Sequence, residues 1–514
     1  MKRVFMLSIG VLIVMFLFFC NGGDGNGPNG PPPTNNPIPT LTTISPTSKV
    51  AHMPTFTLTA TGSDFVSGAK IVFNGTEMTA NYVGATELTC EIEPADTVLA
   101  GAFDGEVAGI LTTNVVVLVR NPSPGGGDSG SRDFTVRHNH QFTTAARIST
   151  GFPETKGVTM AVEADGTVNA GWSKVISYTE EMLYMKRSTD GGDTWGTSLQ
   201  VTKHGPNMPY WPVLAVDESG NLNCLHCRRH IDGNVYYHRS TNSGQTWNTP
   251  VKLSDPAYPL YTDSSKSDMV VDGSGDINVL FQLSEAEARP GNIYFTRSTN
   301  NGASWTTPLL ISVSNYGMYP AIAVDGNGNL YAAWKKRKTY ATAKTAWYTH
   351  LRRSSNDGAT WTSGINVNSG QEGHYSGGPK IAVDLTNNYI FLVWAKRDNY
   401  FSGNYKVFFS RSTDSGATWN SPLNITANGL SNTYPDMAVD SVGNINVVWN
   451  HSDDVYFRRS IDNGSSWSQT VQACSTPGAS YQPVIGVDSS GNIKVAWRDH
   501  STGVEMVYFS RSTY

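Results

Sequence analysis

Five cysteines in 514 residues, at positions 20, 90, 224, 227 and 474, are too few and too scattered for a disulfide framework. Charge is sparse too. Asp, Glu, Lys and Arg make up 15% of the chain, well below the usual quarter. A net charge of −5 does not indicate a nucleic-acid or polyanion-binding surface. Long apolar runs are missing apart from residues 4–19, a stretch short for a membrane span. What the chain does have is glycine, 50 residues of it, and 11% aromatics. That is the composition of an all-β protein with many turns.

One phrase recurs. It reads RSTDGGDTW at 187–195, and returns as RSTNSGQTW ending at Trp247, RSTNNGASW at Trp305, RSSNDGATW at Trp361, RSTDSGATW at Trp419 and RSIDNGSSW at Trp467. A seventh copy begins at Arg511. The serines at 188, 240, 298, 354, 412, 460 and 512 are separated by steps of 52, 58, 56, 58, 48 and 52. A period near fifty marks a repeat architecture. Chemically the phrase is a tight turn. Asp or Asn and the hydroxyls bond nearby N–H groups, Gly takes positive φ, and Trp plugs the turn onto the sheet beneath.

A second phrase precedes each turn: an inner strand ending in Val-Asp or a relative, as at 215–217, 270–272, 323–325, 382–384, 438–440 and 486–488, with Met160-Ala161-Val162-Glu163 first. Seven inner strands and seven Arg-Ser strand ends predict seven blades of four strands over residues 138–514. The last blade lacks its fourth strand. The stretch 141–149 resembles the strand after the other turns, and is predicted to pair with the C-terminus and close the ring.

The turn phrase resembles the Asp box of the sialidase-type BNR repeat, residue for residue in the first and fifth copies. The resemblance implies a β-propeller, with the boxes on the outer rim away from any ligand. Blade number departs from the sialidases, which have six. Sialidase chemistry requires an acid/base carboxylate, a Tyr–Glu nucleophile pair and three carboxylate-gripping arginines. The nearest match to the first arginine phrase is Arg147-Ile148-Ser149, on the closing strand, whereas Lys156-Gly157 stands at the aligned position. Ser173-Lys174 stands where the acid/base Asp should be. The fold resemblance therefore does not carry the activity.

The N-terminal part divides into three. Residues 1–20 form a targeting segment: Lys2 and Arg3, the apolar run, then Phe19-Cys20. It resembles a bacterial lipoprotein signal, which would be lipidated at Cys20, although Phe19 stands where small residues are usual. An ordinary secretory signal and an uncleaved anchor remain the alternatives, and all three export the chain. Residues 21–38, of Gly, Asn, Asp and Pro, read as a tether. Residues 39–136 show strand alternation at 56–60 and 70–73 and an Asn74-Gly75 hairpin turn. With Ile44-Ser45-Pro46, residues 61–65, 72–75 and 114–119, they resemble an IPT/TIG domain. That resemblance implies an immunoglobulin-like β-sandwich acting as spacer or adhesion module.

In a propeller the loops entering the inner strands share a face with those following the second strands. The first set holds Tyr210, Trp211, Asp268, Tyr319, Tyr434, Asp436 and Tyr481. The second holds Arg228, Arg229, Glu285, Lys335, Arg337, Lys396, Arg397, Asp398, Arg498 and Asp499. With only 37 Lys and Arg in the chain, their gathering on one rim points to an anionic or hydroxyl-rich ligand. Ligand-binding candidates are therefore Tyr210, Trp211, Arg228, Arg229, Tyr319, Lys335, Arg337, Lys396, Arg397, Asp398, Tyr481, Arg498 and Asp499. Tyr434 with Asp436, or Asp268 with Glu285, are the candidate catalytic groups.

Cys224, His226, Cys227 and His230 have the look of a metal cluster, but on a strand residues 224 and 227 face opposite ways, and strand packing is the reading preferred. The Asp-Gly-rich segments at 272–276 and 325–329 read as hairpin turns rather than calcium loops. No cofactor and no metal are assigned. The sequence thus predicts an exported, lipid-anchored cell-surface protein that binds a glycan or a surface partner. A sialidase-type hydrolase and a protein-binding adhesion module are the alternatives.

Overall fold

The structure is a computed structural model. It describes residues 35–513 apart from 51–54, 94–111, 138–140, 150–154, 178–179, 203–208, 229–233, 255–265, 284–290, 313–316, 340–344, 369–372, 398–402, 427–430, 475–478 and 501–502. Cys20, the tether up to residue 34, Arg229, His230, Glu285 and Asp398 lie outside these. All elements among the described residues are strands.

The N-terminal unit is a sandwich. One sheet is ordered Thr40–Ser45, Phe56–Ser63, Glu87–Ile92, Asn81–Gly84. The other runs Ser48–Val50, Arg132–Arg137, Thr112–Asn121, Lys70–Phe73, Thr76–Met78. Alternate residues face inward, so Leu58, Leu88 and Cys90 meet Ile71, Phe73, Val117 and Phe134 in one core. The Asn74-Gly75 turn links Phe73 to Thr76, with φ of 50° and 81°, the conformation a two-residue hairpin requires.

The repeats form antiparallel sheets in which consecutive strands are neighbours. The first is Thr155–Val162, Val168–Ser177, Glu180–Ser188, Leu199–Gln200. The second is Pro209–Val216, Leu222–Arg228, Val235–Ser240, Val251–Lys252. The third is Ser267–Val271, Ile277–Leu283, Asn292–Ser298, Leu309–Leu310. The fourth is Gly317–Val324, Leu330–Thr339, Thr345–Ser354, Ile365–Asn366. The fifth is His374–Asp384, Tyr389–Arg397, Lys406–Ser412, Leu423–Asn424. The sixth is Asn432–Val439, Ile445–His451, Asp454–Ser460, Val471–Gln472. The last holds Ser480–Val487, Ile493–Asp499 and Met506–Thr513. It is completed from the start of the region, by Gln141↔Thr513, Phe142↔Ser512, Ala146↔Phe509 and Arg147↔Tyr508. The innermost strand of each sheet packs on the next, and the first packs on the last, so the sheets close into a propeller.

The second strands lie between neighbouring sheets and are apolar on both faces; every residue of Ile277–Leu283 is buried. Trp172, Trp334, Trp394, Trp449 and Trp497 recur at one place on these strands, at 2% exposure or less. The seams between sheets come from the repeated turn. Its tryptophan packs edge-on against an aromatic on the third strand of the preceding sheet: Trp305 on Tyr237, Trp361 on Phe295, Trp467 on Phe409. Trp195 of the first sheet meets Phe509 of the last at 5.1 Å, so the closing seam is built like the others.

The turn itself has the expected chemistry. In the fifth sheet the Ser412 hydroxyl donates to Asp414 Oδ1 at 2.7 Å and accepts from Gly416 N–H at 2.8 Å. Asp414 takes Thr418 N–H and Oγ1–H at 2.8 and 2.6 Å. These bonds, the Thr418 hydroxyl first, hold the Asp414 carboxyl below its ordinary range. Ser412→Ala should leave buried groups unpaired and lower stability by about 1–2 kcal/mol, read from the urea midpoint; a change within error would show that the turn holds without it. The turn's arginine is anchored as well. Arg239 reaches Asp217 and Arg459 reaches Asp440, both at 2.7 Å, so the recurring Arg and the recurring Val-Asp turn are one ion pair within a sheet.

Candidate functional site

A cavity of ≈ 380 Å³ opens where the inner strands converge. Its walls are set by one irregularity, repeated. The pairing of the first two strands slips between Tyr210/Val213, Met318/Ala321, Ser376/Lys380, Thr433/Asp436 and Tyr481/Val484, with a shorter slip at Lys156/Val158. Such bulges re-aim side chains. The residue at the bulge takes a left-handed φ: 52° at Trp211, 54° at Tyr319, 49° at Tyr434 and 53° at Gln482. A proline follows each, Pro212, Pro320, Pro435 and Pro483, and fixes the backbone beyond it. Large residues held at positive φ are uncommon and cluster at sites.

The cavity is therefore layered. Trp211, Lys266, Tyr319, Tyr434 and Gln482 form the outer layer and the prolines the collar. Two residues further along each inner strand from Trp211 and its equivalents come the inner positions: Thr159, Val213, Asp268, Lys380, Asp436 and Val484. Three of these tie neighbouring sheets together. Thr159 Oγ1 accepts from Leu214 N–H at 2.9 Å, Asp268 Oδ2 from Ile322 N–H at 2.9 Å, and Asp436 Oδ2 from Ile485 N–H at 3.0 Å. Both carboxylates are thereby oriented. Asp436 Oδ1 meets Lys380 Nζ at 3.0 Å. Lys380 is enclosed by the ring, yet 46% of its side-chain surface stays open to the cavity. Enclosure lowers its affinity for a proton, but Asp436 and then Asp268 outweigh this and hold the ammonium above its ordinary range. Burial pushes the Asp268 carboxyl up, opposed by Lys380 and the N–H of Ile322 and Met269, and assisted by Asp436.

Support lies behind the cavity. Gln282, fully buried, accepts Tyr319 N–H on its Oε1 at 3.1 Å and so holds that bulge. Lys266 Nζ lies over the Trp211 ring and 5.6 Å from that of Tyr319. Lys335 reaches the same Tyr319 ring at 5.6 Å and Trp347 at 4.4 Å, and burial brings its ammonium down to about 8.

Among the sequence candidates, Trp211, Asp268, Tyr319, Tyr434 and Asp436 line the cavity. Tyr210 lies on its strand just outside the bulge. The basic residues of the second set sit elsewhere, each against a ring: Arg228 over Tyr236 at 5.1 Å, Lys396 over Phe408 at 4.7 Å, Arg397 over Tyr405 at 4.9 Å. Arg337 stands opposite Trp347 in register. Arg498 stacks on Tyr481, pairs with Glu505, and donates to Gln482 Oε1 at 2.7 Å. Lys335, Lys396 and Asp499 are buried, Asp499 completely, with Ser480 donating to its carboxylate. The tryptophans beside this set are core, not rim, because the second strand is packed on both faces. Cys224 and Cys227 are buried thiols of the second sheet. The segments at 272–276 and 325–329 are hairpin turns, with Asp325 Oδ1 taking the N–H groups of Asn327 and Asn329 at 2.9 Å.

Lys266, Lys380, Gln282 and Gln482 stand in the two sets of loops read from the sequence but are not among the candidates named there. A lone lysine carries no signal until the ring brings it beside Asp268 and Asp436. The signal available is positional: Lys380, Asp268 and Asp436 stand at the same offset before their Val-Asp ends.

The fold and the cavity define a propeller with a central cavity, joined to an immunoglobulin-like unit. Residues 39–136 match the IPT/TIG domain family. The chain is similar to a xyloglucanase of a Paenibacillus species, 27% identical over 250 residues, 45% of this chain and 23% of that protein. It is similar to xyloglucanase Xgh74A of Acetivibrio thermocellus, 28% identical over 266 residues, 45% of this chain and 28% of that one. The chain thus spans about a quarter of the length of the curated relatives it matches. Among solved structures, an α-L-arabinanase of Penicillium chrysogenum complexed with arabinobiose superposes with a TM-score of 0.44 at 13% identity, covering 72% of this chain and 98% of that one.

Proposed function

We propose that this is an exported surface protein, lipid-anchored at Cys20, whose seven-bladed propeller binds glycans in the hub cavity while the IPT/TIG unit acts as spacer. The observation that carries this reading is the cavity: three aromatics held in place by bulges, with carboxylates and ammonium groups oriented behind them. Rings offer apolar faces to a sugar, and the charged groups accept from and donate to its hydroxyls. Similarity to part of two xyloglucanases supports the same ligand class. Tyr434, 39% exposed, is the ring best placed for contact. Tyr434→Asn keeps a residue tolerant of positive φ, and should weaken binding of the best ligand on a glycan array about ten-fold by calorimetry. Unchanged affinity would place the ligand elsewhere.

A second reading, hydrolysis, is favoured by the two oriented carboxyls on either side of Lys380. Burial moves the Asp268 carboxyl upward, the direction a general acid needs, and Asp436 is the facing base. Release of reducing ends from xyloglucan or arabinan, abolished in Asp268→Asn, would establish it; release that survives the substitution would remove Asp268 from that role.

A further inference from the structure

We propose that the hub cavity selects uncharged sugars and turns away carboxylated ones. The inference rests on the glycan-binding reading and names the class of glycan. At the inner layer Asp436, from the sixth sheet, pairs with the ammonium of Lys380, from the fifth, which also feels the charge of Asp268, from the third. Each carboxylate is fixed by an N–H of the neighbouring inner strand, so neither can swing aside. A ligand carboxylate entering this layer would be a third anion beside a single cation. A hydroxyl-rich ligand meets no such conflict, because the carboxylates accept its O–H groups and the ammonium donates to its oxygens.

The other cations on this face do not reverse the balance. Lys266 lies in the outer layer, its ammonium over the Trp211 ring. Arg498 is committed to Gln482 and Glu505, and Arg228 to the Tyr236 ring and hydroxyl. The guanidinium forks of Arg228 and Arg498 are therefore turned to protein groups rather than to the hub.

The test uses the full chain and matched disaccharides that differ only in a terminal hydroxymethyl or carboxylate, cellobiose against cellobiouronic acid, together with lactose against sialyllactose and the best neutral ligand from an array. Titration calorimetry should show the neutral members binding at least about ten-fold more tightly. Asp268→Asn with Asp436→Asn should erase the preference. Asparagine retains an acceptor for the N–H groups of Ile322 and Ile485, and near-ultraviolet circular dichroism verifies the fold. Lys380→Met should widen the preference. Acidic sugars binding as tightly as neutral ones, or a preference that persists in the double variant, would overturn the inference and leave glycan binding standing. If neither the array nor the pairs yield a ligand, the glycan reading itself goes, and this inference with it.

Discussion

Gly358→Ala should destabilise the protein far more than Gly416→Ala, although the two glycines hold the same place in the repeated turn. Both take a left-handed φ, 80° and 85°, which costs any side chain about 1–2 kcal/mol. What differs is the neighbour. A Cβ on Gly358 would fall 1.9 Å from Cε1 of Phe295, a ring on the third strand of the preceding sheet already packed by Trp361. A Cβ on Gly416 would come no closer than 3.3 Å to Leu351 Cδ2, the end of a side chain that can move. Overpacking at Phe295 adds about 1–3 kcal/mol, so Gly358→Ala should lose about 2–5 kcal/mol in total and Gly416→Ala little beyond the backbone cost. Urea unfolding of both decides it. Adding Phe295→Leu to Gly358→Ala should recover part of the loss. Equal losses in the two single variants would mean that the turn, not the seam, sets the cost.

The same turn shows how far the chain could be read before folding. Its hydrogen bonds follow from local chemistry, because Ser412, Asp414, Gly416 and Thr418 lie within one short segment, and such bonds need no tertiary partner. The closing strand was legible for a similar reason: residues 141–149 carry the pattern of strands that follow the other turns, and the pairing with Tyr508–Thr513 completes what the last repeat lacks. Pairing between repeated phrases was not legible. Arg459 and Asp440 stand in two separate motifs, and only the sheet shows that they are one buried ion pair. The cavity was half legible. Its aromatics and aspartates stand in a recognisable set of loops, but Lys380 acquires meaning only when three different sheets meet. The basic residues after the second strands stand apart from the cavity for a physical reason. Long cationic side chains can lay their stems and charges over rings, and here Arg228, Lys396 and Arg397 do so.

Acid should unfold this protein well before its carboxylates are neutralised, and the cause should be three buried histidines. His226 and His238 stack on each other in the second sheet, ring centroids 4.9 Å apart, and His350 packs on Trp334 in the fourth. Burial brings His238 from its ordinary 6.5 down to about 4. Burial, then Lys336 and Arg352 nearby, bring His350 down to about 3. His226 lies well below 6.5 through burial, His238 and Arg228. The unfolded chain therefore takes up protons near pH 6.5 that the folded chain refuses. Stability from these groups is complete above pH 6.5, falls as the pH drops below it, and levels off only near the folded values. Between pH 7.5 and pH 5, His238 and His350 should each remove about 2 kcal/mol. His238→Gln and His350→Gln, combined, each carry a cost of their own at every pH, so the readout is the slope: the drop in urea midpoint from pH 7.5 to pH 5 should shrink by more than half. A double variant that loses stability over this range as steeply as the parent would exclude both histidines as the source of acid sensitivity.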